Sequence, residues 1–270
     1  MHHVRQTRAL IDTIVPQRPQ RVSSYVPAHP WHLETYYINQ LLRRVANPLT
    51  RITWECLRPV VMAYRAPTER RDDDLSEFTI AIGEAQLRFA QEVDIDQEAR
   101  EAVAVTAPKV EAFTLAQQAK SLRVLGIDAV GKDLFLDGER RAWTRANVEL
   151  IKTIPGEYFP KVEKHIIQAV HAGMRHETLA KKLRDEVLPM SKTRASVIAR
   201  DQVSKYNGAL AKAQQTAVGV EKYQWRAVHD KRTRETHLAL DMSIQRWDDA
   251  PAIGNPGEPI QCRCQACPVI

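Results

Sequence analysis

The first 108 residues of this chain contain no lysine. From Met1 to Arg71 the positive charge is carried by eleven arginines against four acidic residues, a surplus of seven. The whole 270-residue chain carries +6, so the remainder is slightly negative. No apolar run approaches the roughly 20 residues that cross a bilayer, and mean hydropathy is negative. The opening Met1-His2-His3-Val4-Arg5 lacks the apolar stretch of a secretory signal. The expectation is a protein made and used in a cytoplasm, without a membrane partner. Cysteine is scarce: Cys56 stands alone, and Cys262, Cys264 and Cys267 crowd the last nine positions. A secreted disulfide scaffold would spread its cysteines through a shorter chain. Internal repeats, low-complexity tracts, a glycine-rich nucleophile elbow and a phosphate loop are also missing, which removes the commonest signatures of hydrolases and nucleotide-binding enzymes.

The patterning that is present predicts an α+β chain, a mostly helical body with a small mixed C-terminal module of short strands, a short helix and a Pro/Gly loop. Residues 1–30, with Pro16, Pro19, Pro27 and Pro30, read as an extended Arg/Pro arm that needs a partner to order it. A helical region spans 31–140. Leu33, Tyr37, Leu41 and Val45 form one helix stripe, Pro48 interrupts, and Trp54, Leu57, Val61 and Tyr64 form the next. The charged run 68–74 is a candidate boundary. Helices are expected over 75–93 and over 97–125, the latter interrupted near Pro108. The third part, 141–270, begins with helices over 141–218: 141–153 ended by Ile154-Pro155-Gly156, 157–172 with Gly173 as its C-cap, 176–187, and one capped by Ser191. The small module fills 220–270. Tyr223, Trp225 and Ala227 alternate as a strand, Asp230 caps a helix over 231–240, 243–247 is a second strand, and 248–259 is a loop.

The order of residues from Trp225 through Asp230, Arg232, Arg234, His237 and Asp241, then Pro251, Gly254, Pro256, Gly257 and Cys262-Arg263-Cys264, resembles the signature of the Mu F-like minor head proteins of tailed phages. Leu150-Ile151-Lys152 with Ile154-Pro155, and Ile198-Ala199-Arg200-Asp201-Gln202 with Asn207-Gly208, fit the same pattern. The resemblance covers about residues 148–270. Met242 departs from it, standing where the family often has glycine, so the turn there is expected to differ. The resemblance implies a non-enzymatic minor virion protein, present in few copies, associated with the portal and acting in head morphogenesis. In some phages the role extends to DNA packaging or ejection. The implied partners are the portal protein, the major capsid protein or both, with packaged double-stranded DNA as a further candidate. The implied location is the virion head, after assembly in the host cytoplasm. Some relatives carry a fused toxin domain, and this chain reads as ending at Ile270 without one.

Three groups of residues are candidate sites. His237, Cys262 and Cys264, with Cys267 or His229 as a fourth, offer the soft and borderline ligands that zinc prefers. A metal would staple a module too small to be very stable alone. Cys-x-Cys lacks the usual two-residue gap, and packing with local hydrogen bonds is the competing reading. Asp230, Arg232, Arg234, Asp241, Arg200 and Asp201 read as a structural polar network rather than a catalytic set. Arg5, Arg8, Arg18, Arg21, Trp31, Arg43 and Arg44 are candidates for contact with DNA or an acidic protein surface. Two other functions remain open at this level: a metal-dependent hydrolase or nuclease acting in the head, and an assembly chaperone lost on maturation.

Overall fold

The computed structural model describes residues 20–64, 72–128 and 136–270, with the backbone alone for 72–74. Most of the charged run 68–74, together with Arg5, Arg8 and Arg18, lies outside these residues. The architecture is mostly helical with a three-stranded antiparallel sheet near the C-terminal end, an α+β fold. Among the described residues no helix is long and apolar enough to cross a membrane.

Helix α1 (Trp31–Leu41) buries Leu33, Tyr37 and Leu41, and Val45 extends the stripe through a π-helical turn, Leu42–Ala46. Helix α2 (Asn47–Ala63) follows directly, so Pro48 does not break the path as its sequence suggested. The π turn widens the backbone just ahead of it, with the Asn47 N–H donating to the Leu42 carbonyl, and Pro48 then occupies a first-turn position where its missing donor costs little. Helix α3 (Asp72–Glu92) packs back on α2, and α4 (Ile95–Val124) starts at Asp94, whose carboxylate accepts from the N–H groups of Asp96 and Gln97. Pro108 leaves α4 unbroken. It faces solvent with Ala104, whose carbonyl loses its partner to the proline, so water can satisfy that oxygen. Likewise the expected stop at Ile154-Pro155-Gly156 is absent. Helix α5 runs through it from Asp137 to His171, and buried Ile151, Ile154, Tyr158 and Phe159 on either side of the proline supply the packing that overrides the local breaker. Gly173 ends α5 at φ +63°, its N–H bonded to Val170 and that of Met174 to Ala169.

After α6 (His176–Lys182) and a second π turn, Leu183–Val187, comes α7 (Met190–Ala217). Ser191 is not its cap. The cap is Pro189, and Ser191 lies buried one residue inside the helix, 3.0 Å from the Thr50 hydroxyl of α2. Helix α7 packs on α1, α4 and α5. One hydrophobic cluster runs from Leu33 to Leu210, across the expected division at 140, with Trp143 stacked on Tyr206 at 4.6 Å.

The C-terminal sheet is ordered β2-β1-β3, built from β1 (Lys222–Arg226), β2 (Ile244–Arg246) and β3 (Gln265–Val269). The terminal segment is therefore a full strand. The helix expected over 231–240 shortens to α8 (Glu235–Leu238), because Asp230 caps a turn instead: its Oδ1 accepts from the Arg232 N–H and the Thr233 hydroxyl. The end of the arm is also different from expectation. Arg21 and Ile270 exchange backbone hydrogen bonds, and the Ser23 N–H donates to Pro268, so 20–23 lie along β3. These bonds tie this end of the arm to the edge of the chain's own sheet.

Two backbone features position the module. The Pro256-Gly257 loop lies flat on α7: a Cβ on Gly208 would stand 2.3 Å from the Pro256 carbonyl oxygen, and one on Gly257 would stand 2.7 Å from that of Ser204. Gly208→Ala is expected to destabilise the protein by about 1–3 kcal/mol, the range for overpacking a filled contact. A urea midpoint equal to that of the wild type would contradict the close approach. Met242 holds φ +65°, the conformation glycine adopts without strain, and its side chain is exposed. The turn keeps a glycine-like backbone despite the substitution. Met242→Gly is therefore expected to raise stability by about 0.5–1 kcal/mol, the left-handed penalty less the flexibility of glycine. Destabilisation by this change would show that Met242 packs in a way its exposure does not suggest.

Candidate functional site

The module brings together three buried side chains from two distant stretches. His237 comes from α8, and Cys262 and Cys264 from the segment leading into β3. His237 Nδ1 lies 3.3 Å from Cys264 Sγ and 3.6 Å from Cys262 Sγ. The local chain explains why. Asp201 of α7 accepts the Gln261 N–H at 2.8 Å, holding Gln261 at φ +52° and turning the next residue inward. The Gly257 N–H then donates to Cys262 Sγ at 3.4 Å. Trp225 of β1 packs edge-on against the His237 ring at 5.6 Å and closes the inner side.

Cys267 does not join them. Strand residues alternate faces, and Ala266 shares the small core with Cys262 and Cys264, so Cys267 pairs beside Gln224 on the opposite side of the sheet. His229 is exposed and bonds Asp241 at 2.7 Å instead. Of the four residues expected as metal ligands, three therefore converge and neither candidate for the fourth does.

The electrostatics differ among the three. The Cys262 thiol is drawn down to about 7, chiefly by the hydrogen bond from Cys264, with the Gly257 and Cys264 N–H groups and Arg234 adding to this against the effect of burial. Cys264 is pushed up correspondingly, by the same bond and by burial. Burial pushes Cys267 up to about 11. Burial, then Arg234, lowers His237, favouring the neutral ring. The Arg234 Nη1 lies 3.3 Å from His237 Nε2. A guanidinium can only donate, so this contact makes Nε2 the acceptor and places the ring hydrogen on Nδ1, toward the sulfurs.

A small pocket of about 80 Å³ opens beside the trio. Arg200, Arg232, Arg234 and Arg263 line it together with Glu34 and Ser204. Ser204 is buried, and its hydroxyl has no hydrogen-bond partner among the described residues. Neither Glu34 nor Ser204 was singled out in the sequence. Ser204 lies one helical turn after Arg200, a spacing that could have flagged it, whereas Glu34 gave no signal.

The polar residues largely hold the module together. Arg263 forms a two-armed ion pair with Asp230 and lies over the Trp31 ring at 5.3 Å. Arg234 donates to the Ile260 carbonyl at 2.6 Å. Asp241 accepts from the Ala227 N–H at 2.8 Å and pairs with His229. Asp201 bonds Lys205 and Gln202 besides Gln261. Hydrogen bonds hold Asp230 below the usual carboxylate range, overcoming a burial effect of opposite sign.

The expected contact arginines fare differently. Arg44 is not available for a partner: its half-buried guanidinium pairs with Glu98 at 2.6 Å and Glu101 at 2.5 Å, tying the first π turn to α4. Arg43 is exposed and bonds only locally to Gln40 among the described residues. The exposed Arg21 contributes its backbone to the strand pairing, and Trp31, 42% exposed, stacks edge-on against His29.

Asp230→Ala is expected to cost about 1.5–3 kcal/mol, the range for hydrogen bonds to a charged group. Asp230→Asn, which keeps an acceptor for the Arg232 N–H, should lose less. Urea denaturation checks both, and an Ala variant as stable as the wild type would show that the pair with Arg263 is only a surface contact.

Comparison with known proteins bears on the same segment. A curated relative from Haemophilus influenzae, described as an uncharacterized protein, is 39% identical over 130 residues. That alignment covers 48% of this chain and 29% of the relative, so the chain spans less than a third of that protein's length. No solved structure matches. Residues 160–267, from the second half of α5 to Cys267 in β3, match the family model described as Phage Mu protein F like protein, so over this stretch the chain is similar to that family.

Proposed function

We propose that this chain is a minor head protein of a tailed phage, acting in head morphogenesis at or near the portal vertex. The observation that carries this reading is the family match over 160–267, which falls on α7, the sheet and the Cys-Arg-Cys segment together. A non-enzymatic role is supported by how the module uses its polar side chains. Asp201, Asp230, Arg234, Asp241 and Arg263 all bind the chain itself. Such a body presents surfaces and needs no moving parts. In this reading its partners are the portal protein, the major capsid protein or both, and it remains in the virion after assembly in the host cytoplasm.

The arginine-rich quarter supports contact with packaged DNA less broadly than its composition suggested. Arg44 is engaged with Glu98 and Glu101, and Arg51 with Glu55 and Glu92. Arg21, Arg43 and Arg58 remain exposed. Arginines on this surface, with those of the preceding arm, would screen phosphates in the head interior and serve packaging or ejection.

Quantitative mass spectrometry of purified proheads and mature virions tests the assignment. The expected result is a few copies per particle in both. Absence from both would overturn it, and presence in proheads alone would favour an assembly chaperone lost on maturation. One observation favours a second reading, a metal-dependent hydrolase: the His237, Cys262 and Cys264 donors wall an arginine-lined pocket. DNA cleavage by the purified chain, abolished in Cys264→Ala, would replace the structural assignment with that one.

A further inference from the structure

We propose that His237 Nδ1, Cys262 Sγ and Cys264 Sγ form a site for one divalent cation of the zinc class, with its fourth coordination position facing the arginine-lined pocket. The proposal rests on the arrangement of these side chains and is independent of where in the particle the chain works.

Donor chemistry is the first argument. Two thiols and one imidazole make a soft-to-borderline set, suited to zinc and poorly suited to magnesium or calcium, which prefer oxygen. Spacing is the second. A tetrahedral ion with Zn–S near 2.3 Å and Zn–N near 2.0–2.1 Å requires its nitrogen and sulfur ligands to stand about 3.6 Å apart. The two N···S separations here are 3.3 and 3.6 Å, and all three donor atoms lie within 4.8 Å of one another. The tight Cys-x-Cys spacing, unusual for a zinc ligand pair, is accommodated because Cys262 and Cys264 project to the same side as Ala266 along the approach to β3. The third argument is the unfinished shell. Among the described residues no further His, Cys, Asp or Glu completes the cluster. What adjoins it is the pocket, and into that pocket's wall is set the buried Ser204, whose hydroxyl has no partner among the described residues. Three protein ligands beside an open, polar space are the arrangement in which zinc keeps water or an anion as its fourth ligand. The surrounding arginines favour the anion.

Proton balance is simple. Binding removes the thiol protons to solvent as the metal–sulfur bonds form, and the ring hydrogen leaves Nδ1 for Nε2. The long Arg234 contact at Nε2 must then open, while its bond to the Ile260 carbonyl can remain.

The test uses the full chain. It is stripped of metal under reducing conditions and titrated with cobalt(II), followed by optical absorption and then by displacement with zinc. The expected result is one equivalent bound, with the d–d bands of a tetrahedral site and a thiolate-to-cobalt charge-transfer band, both erased by zinc. Cys264→Ser and His237→Ala should weaken binding at least tenfold, and Cys267→Ser should leave it unchanged. Failure of the wild-type chain to develop these bands overturns the proposal whether or not the variants fold. So does loss of the bands in Cys267→Ser with retention in Cys264→Ser. Elemental analysis of chain purified without chelator gives a separate readout, with zinc expected at close to one per chain.

Discussion

The approach of two backbones, Gly208 in α7 and the Pro256-Gly257 loop, governs the whole C-terminal module. With no Cβ on either glycine, the loop rests directly on the helix. That height lets Asp201 reach the Gln261 N–H and sets the Gly257 N–H against Cys262. Any side chain at either position would lift the loop and disturb the approach of Cys262 and Cys264 to His237. A module of this size has little core of its own, chiefly Tyr223, Trp225, Trp247 and the two cysteines. It is stable because α7 serves as one of its walls.

Helix α7 plays that part because its polar residues face inward. Asn207 links Thr114 of α4 to Gln265 of β3, and Gln215 links Gln118 to the Ala266 carbonyl and to the Trp247 indole. In the frame, Asn147 joins Tyr37 to Gln202, and Glu111 joins Tyr206 to Arg140. Buried amides of this kind add little net stability while paired and are expensive to leave unpaired. They therefore specify one packing of sheet on helix. The strand pairing at 20–23 makes the same connection from the other end of the chain.

Much of this was legible in the sequence. The stripes Leu33-Tyr37-Leu41 and Leu57-Val61-Tyr64 are core, Trp225 lies in a strand, and His237 meets the Cys-Arg-Cys segment. What failed to show were tertiary overrides of local signals. Pro48, Pro108 and Pro155 each look like breaks, and in each case a widened turn, a solvent-facing carbonyl or flanking burial removes the penalty. Cys267 was grouped with Cys262 and Cys264 by proximity in sequence, but the period of two along β3 turns it to the opposite face. Arg44 read as a free charge because its partners, Glu98 and Glu101, lie more than fifty residues away. The pocket itself was invisible, since Glu34 and Ser204 come from helices whose apposition no local pattern encodes.

The central claim is that the module and the helical frame form one cooperative unit, joined through α7. Native-state hydrogen exchange on the full chain tests it most directly. The amides of β1 and β3 and the Gln261 N–H should open only with the free energy of global unfolding, the same as the interior amides of α7. Exchange of the sheet and the Gln261 amide through a separate, lower-energy opening, with α7 still protected, would contradict it.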